Sequence, residues 1–105
     1  MSSVVIDIIK FEGLTVSYSE QTLCYEMQEI MMTNREFQIL YFLISHRSQV
    51  FSKRQIYDYV TEFNEKDDLH TVEITISRIR KKLKIYSGRS DFIVTIRGRG
   101  YKFKK

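Results

Sequence analysis

Thr71, Ile74, Thr75, Arg78, Lys81 and Lys82 fall on one face of a helix if each residue turns it by about 100°. An arginine can fork onto two acceptors, a threonine hydroxyl can reach a phosphate or a base edge, a lysine supplies a point charge, and an exposed isoleucine can meet a methyl group. Arg97 and Arg99 add two cations to a tight turn, Arg97-Gly-Arg-Gly100. This mixture suits recognition of a polyanion rather than bond making. Catalysis needs a nucleophile, base or metal set, and His46 and His70 sit in different segments without one. His70 and Glu73 share a helix face, but two potential ligands do not make a metal site. Cys24 is the single cysteine, so neither an internal disulfide nor a paired-cysteine zinc motif is available. The Gly-Arg-Gly turn follows one strand-like run and precedes another, which is not the setting of a nucleotide-cradling loop. No cofactor, no metal and no enzymatic activity are expected.

The charge is distributed to match. The chain carries +4 overall, but residues 69–105 hold eleven bases and two acids, a net of +9, whereas residues 1–32 hold one lysine and five acids. Such asymmetry points to a polyanionic partner, with a solvated basic tail as the bland alternative. A tail would lack the periodicity of this region. Leu69, Val72, Ile76, Ile79, Leu83 and Tyr86 step by three and four residues, so an apolar stripe must pack inward and leave the polar face outward. Taken singly, Arg78 and Lys82 could be ordinary solvated charges and Ile74 could cover a loop. Together, between two upstream helices and a basic hairpin, they read as one surface.

The elements that position this surface are marked by local signals. Thr33-Asn-Arg-Glu36 and Ser52-Lys-Arg-Gln55 have the form of capping boxes, with Met32/Phe37 and Phe51/Ile56 as flanking apolar pairs. They start helices spanning about 34–46 and 53–61. Phe37, Leu40, Tyr41, Leu43 and Ile44 form the inner face of the first, and Ile56, Tyr59 and Val60 that of the second. The third helix, about 69–86, is capped by Asp67 or Asp68. Before them, residues 8–32 alternate apolar and polar side chains, with breaks at Glu12-Gly13, Ser19-Glu20 and Gln28-Glu29, and predict three or four short antiparallel strands. Residues 1–7 read as a linker remnant. Phe92 to Ile96, the glycine turn and Tyr101 to Lys104 predict a hairpin over about 92–104. One α+β domain follows, with an amino-terminal antiparallel sheet, three helices and a carboxy-terminal hairpin. At 105 residues there is material for one core only. The longest apolar run, residues 39–44, is too short to span a bilayer, and no export leader is expected. A reducing cytoplasm is the expected compartment, with no membrane role.

Four ordered blocks, Thr33-Asn-Arg-Glu-Phe-Gln-Ile-Leu40, Val50-Phe-Ser-Lys-Arg-Gln-Ile56, Thr71-Val-Glu-Ile-Thr-Ile-Ser-Arg-Ile-Arg-Lys-Lys-Leu83 and Thr95-Ile-Arg-Gly-Arg-Gly-Tyr-Lys-Phe103, resemble the effector domain of the OmpR/PhoB class of bacterial response regulators. The resemblance covers essentially everything from about residue 8. It implies a winged helix-turn-helix that binds double-stranded DNA sequence-specifically and controls transcription in a two-component system, with the third helix in the major groove and the hairpin, or wing, at the minor groove. Carried over by position, the implied DNA contacts are His70, Thr71, Glu73, Ile74, Thr75, Ser77, Arg78, Arg80, Thr95 and Arg97. The reading of the residues themselves adds Lys81, Lys82 and Arg99. Thr61 and His70 depart from the family's frequent tryptophan and arginine, and Ser77 occupies a recognition position that is frequently basic or polar, so sequence preference does not transfer. The acidic stretch Glu62, Glu65, Asp67 and Asp68 matches the segment that relatives turn toward RNA polymerase; its other reading is a solvated loop ending in a helix cap.

The resemblance also implies a receiver domain and a sensor kinase in the full-length protein. No receiver fits within 105 residues, so the chain is expected to be an excised effector module or a stand-alone regulator. The working state is expected to be two copies on tandem half-sites, and the isolated domain a monomer whose binding is weak and salt-dependent. The competing class is a winged helix that binds protein or RNA and attracts nucleic acid only nonspecifically. Cations on both the third helix and the turn favour duplex DNA.

Overall fold

The computed structural model describes residues 8–60 and 63–105. The expected linker 1–7, Thr61 and Glu62 lie outside the described residues. Four short strands come first: β1 (Ile8–Phe11), β2 (Leu14–Ser17), β3 (Thr22–Tyr25) and β4 (Gln28–Ile30), paired antiparallel in sequence order. Their alternation buries Leu14, Val16, Leu23 and Ile30 on one face. The third break differs from the expected one. Gln28 and Glu29 lie within β4, and the turn is Glu26-Met27, both at positive φ (47° and 72°). Cross-strand pairing of Leu23 with Ile30 sets this register and forces a two-residue turn on residues that carry no glycine or asparagine to announce it.

Three helices follow: α1 (Asn34–Ser45), α2 (Lys53–Tyr59) and α3 (Leu69–Ser87). Both sequence capping boxes are formed. Thr33 Oγ1 accepts the Glu36 amide at 3.1 Å while Glu36 Oε1 accepts the Thr33 amide at 3.0 Å, and Ser52 and Gln55 repeat the exchange at 3.0 and 2.8 Å. α3 is capped by Asp68, whose Oδ1 accepts the Thr71 amide at 3.2 Å. It ends at Gly88, held at φ 74°, where a side chain would be strained. α2 is the shortest helix, and Tyr59, expected in the core, is 48% exposed with its ring stacked on Phe42 at 4.1 Å. Val60 leaves helical geometry there and buries its side chain instead.

The apolar stripe of α3 lies in the core through Val72, Ile76, Ile79 and Leu83, each at most 1% exposed, against α1 and α2. β5 (Ile93–Ile96) and β6 (Gly100–Phe103) then close the fold as an antiparallel hairpin. It is anchored on both edges. Tyr101 pairs with Thr95 across the hairpin and, on its other side, exchanges two backbone hydrogen bonds with Phe51 at 2.8 and 2.9 Å. Phe11, Phe92 and Phe103 pack edge-on or stacked with centroids 5.4–6.4 Å apart, joining the sheet to the hairpin base.

Four charges reinforce that joint. Arg89 donates to Glu12 at 2.7 Å and to Asp91 at 3.0 Å, and Lys104 Nζ lies 3.2 Å from Asp91 and 3.6 Å from Glu12. Hydrogen bonds from Arg89, then Lys104, push the Asp91 carboxyl down to about 2 from its usual 3.8. A carboxyl lowered by folding contributes stability above its unfolded value and loses it as pH falls through the folded one. The melting temperature of Asp91→Asn should therefore lie below that of the parent above about pH 4, with the gap closing toward pH 2. A gap that persists unchanged to pH 2 would show that Asp91 acts by other means.

Candidate nucleic-acid interface

α3 presents an outward face carrying His70, Ile74, Ser77, Arg78 and Lys81, all exposed, with Ile74 at 39%. The wing places Arg97 and Arg99, also exposed, on either side of Gly98 at its tip. Thr71 is half-buried and serves the α3 capping box, its Oγ1 accepting the Asp68 amide at 3.2 Å. The structure brings these residues to one side of the molecule by packing the opposite stripe of α3 on α1 and α2.

Three side chains expected on this face are turned elsewhere. Thr75 is 2% exposed and donates to the Thr71 carbonyl at 2.7 Å, leaving nothing for an outside partner. Lys82 reaches back to the start of α1, where its ammonium donates to Glu36 Oε1 at 2.6 Å and to the Met31 carbonyl at 2.9 Å. Glu36 is 3% exposed, so Lys82 supplies the counter-charge that a buried carboxylate requires. Arg80 is half-buried. It donates through Nε to the Ile93 carbonyl at 3.0 Å and through a terminal nitrogen to Thr95 Oγ1 at 2.7 Å, while its guanidinium lies 5.5 Å from the Tyr101 ring centroid. Thr95 is exposed but already holds Arg80. On a helical wheel Thr75, Arg80 and Lys82 lie only roughly 70–90° from the centre of the apolar stripe, so the neighbours of α3 cover them.

Two cations missed in the sequence line the same side. Lys53 and Arg54 open α2 and, with Glu73, Thr95 and Arg99, border a cleft of about 440 Å³ between α2, α3 and the wing. A signal was present: cations in the first turn of a helix oppose its dipole and call for another reason to be there. Lys53 Nζ donates to Glu73 Oε2 at 2.5 Å, and His70 Nδ1 lies 3.0 Å from Glu73 Oε1. The hydrogen bond from Lys53, then that from His70, holds the Glu73 carboxyl below its ordinary range, and Glu73 in return raises Lys53.

The acidic loop is also more occupied than its composition implies. Asp67 Oδ2 accepts from Arg35 at 2.8 Å and from the Asn64 amide at 2.8 Å, and Tyr57 donates to the Asp67 carbonyl at 3.1 Å. Asp68 is the α3 cap. Of the four acids, Glu65 is the one exposed residue without a structural task among those described, and Glu62 lies outside them.

A helix-turn-helix pair backed by α1, preceded by a sheet and followed by a hairpin pinned beside the exposed helix, is a winged helix-turn-helix domain. The chain belongs to the family described as transcriptional regulatory protein, C terminal, which matches residues 27–103, and within it to the OmpR/PhoB class of effector domains. It is 34% identical over 100 residues to the response regulator SaeR of Staphylococcus epidermidis, covering 95% of this chain but 44% of that protein, so it spans less than half the length of this relative. Among solved structures, the response regulator DrrB of Thermotoga maritima, an OmpR/PhoB homolog, matches at TM-score 0.81 and 26% identity over 94% of this chain and 45% of that one. The DNA-binding domain of the response regulator AdeR, crystallised in complex with an intercistronic region, shares the fold at TM-score 0.83 and 21% identity, over 92% of this chain and 99% of that one.

Proposed function

We propose that this domain binds double-stranded DNA sequence-specifically, with α3 in the major groove and the wing at the adjacent minor groove, as the output module of a two-component response regulator. One observation carries the reading. Cations without internal partners among the described residues stand on two separate elements, Arg78 and Lys81 on α3 and Arg97 and Arg99 on the wing tip, as two-groove contact requires. Ile74 and Ser77 share the exposed face of α3 just N-terminal to these cations and supply the apolar and hydroxyl contacts that discriminate bases. His70 and Thr71 begin this face, with Thr95 beside the wing tip. The AdeR domain's complex with an intercistronic region supports the assignment.

The same reading places two copies on tandem half-sites about one helical turn apart, brought together by a receiver domain that answers to a sensor kinase, in the bacterial cytoplasm. Among the described residues no helix is long and apolar enough to cross a membrane. A contact with RNA polymerase would fall on the acidic loop 62–68, where among the described residues Glu65 is exposed and Asp67 orders the backbone.

Binding measured against salt concentration tests the two-groove model. Arg97→Ala is expected to lower the slope of log affinity against log salt by about one unit. An unchanged slope would remove the wing from the interface.

A further inference from the structure

Resting on the DNA-binding reading, we infer that Arg80 is a positioning residue: from within the recognition helix it holds the wing at the spacing that lets both elements engage one duplex. Its three contacts span the only two parts of the domain that reading assigns to DNA. The Nε bond goes to the main chain of β5 at Ile93, the terminal nitrogen bonds Thr95 on the same strand, and the guanidinium plane covers Tyr101 on β6. Two directed donors and a ring contact fix an angle as well as a distance, which a single point charge cannot do. Tyr101 is in turn bonded to Phe51 ahead of α2, so the wing is braced from both sides by the helices it must stay in step with. An arginine committed in this way has its Nε and one terminal nitrogen engaged inside the domain, and its guanidinium is partly withdrawn from solvent. Its contribution to DNA binding is then conformational. The wing arrives at the flanking groove without first being ordered, which raises affinity by removing a cost.

The experiment compares two duplexes carrying the same selected major-groove site, one extended through the flanking minor groove and one truncated before it. The parent domain should bind the extended duplex roughly fivefold or more tightly, the lower end of what a specific contact gives. Arg80→Met should bind the truncated duplex like the parent and lose the gain from extension. Arg80→Lys keeps the charge and most of the stem, and should lose the gain as well, because one ammonium cannot replace the fork. Equal losses on both duplexes for Arg80→Met, with recovery in Arg80→Lys, would make Arg80 a phosphate contact and overturn the inference. If the parent itself gains nothing from extension, the two-groove reading fails, and the inference with it. A nuclear magnetic resonance measurement on the parent protein needs no variant to fold: the Arg80 Nε proton should be protected from exchange before DNA is added and should stay in place when DNA binds. Rapid exchange, or a shift on binding as large as that of Arg78, would contradict the positioning role.

Discussion

Gly100→Ala is expected to destabilise the domain by about 3 kcal/mol or more, read as a lower urea midpoint, and to weaken duplex binding as the wing loosens. Gly100 adopts φ 137°, a region that side chains rarely enter. A Cβ there would overlap the Phe51 carbonyl oxygen and lie 2.8 Å from Ser52 Cα. Neither neighbour can give way. Phe51 is the residue whose two backbone bonds tie β6 to the start of α2, and Ser52 caps that helix. Strain and overlap each cost roughly 1–3 kcal/mol, a large part of the roughly 5–15 kcal/mol by which such a domain is stable. A loss below about 1 kcal/mol would mean that the wing can leave Phe51 at little expense, and that its anchoring is weaker than its geometry.

The second large effect concerns recognition. Arg78→Ala should cost about 1–3 kcal/mol on a cognate duplex and little on random duplex, measured by fluorescence anisotropy at fixed salt. Arg78 stands exposed on α3 one turn beyond Ile74. Equal losses on cognate and random DNA would reduce Arg78 to a phosphate contact and move the burden of discrimination to Ile74 and Ser77.

What could be read from the residues alone divides by the range of the interaction. Both capping boxes close within four residues, and Thr33 with Glu36 and Ser52 with Gln55 form them as their types and spacing require. The stripe from Val72 to Leu83 was equally clear, because a three-four repeat admits one packing side. The flanks of that stripe were not. Lys82 is claimed by Glu36, 46 positions earlier, and Arg80 by Thr95, 15 positions later, and no local pattern carries information across such separations. Thr75 was lost to the outward face because helical position alone does not say how far a neighbouring helix reaches around. The Glu26-Met27 turn was hidden for a related reason, since the pairing of Leu23 with Ile30 outweighs the backbone preference of the two residues in between. Composition likewise overstated the acidity of the loop before α3, where Arg35 takes up Asp67 and the helix start takes up Asp68.

These internal pairings sharpen the interface. Arg80, Lys82, Arg89 and Lys104 each spend their charge within the domain, so the excess of bases at the carboxyl end exceeds the number of side chains able to meet DNA. Of the cations left outward, Arg78 and Lys81 on α3 and Arg97 and Arg99 at the wing tip are grouped on two elements, an arrangement better suited to choosing a site than to coating a polyanion.

Selection of bound duplexes from a random pool by the purified domain, with heparin and bulk genomic DNA as competitors, tests this most directly. Enrichment of a short motif, recurring as direct repeats about one helical turn apart, is the predicted outcome. A pool that stays random after repeated rounds, with selected duplexes held no better than the competitors, would contradict it.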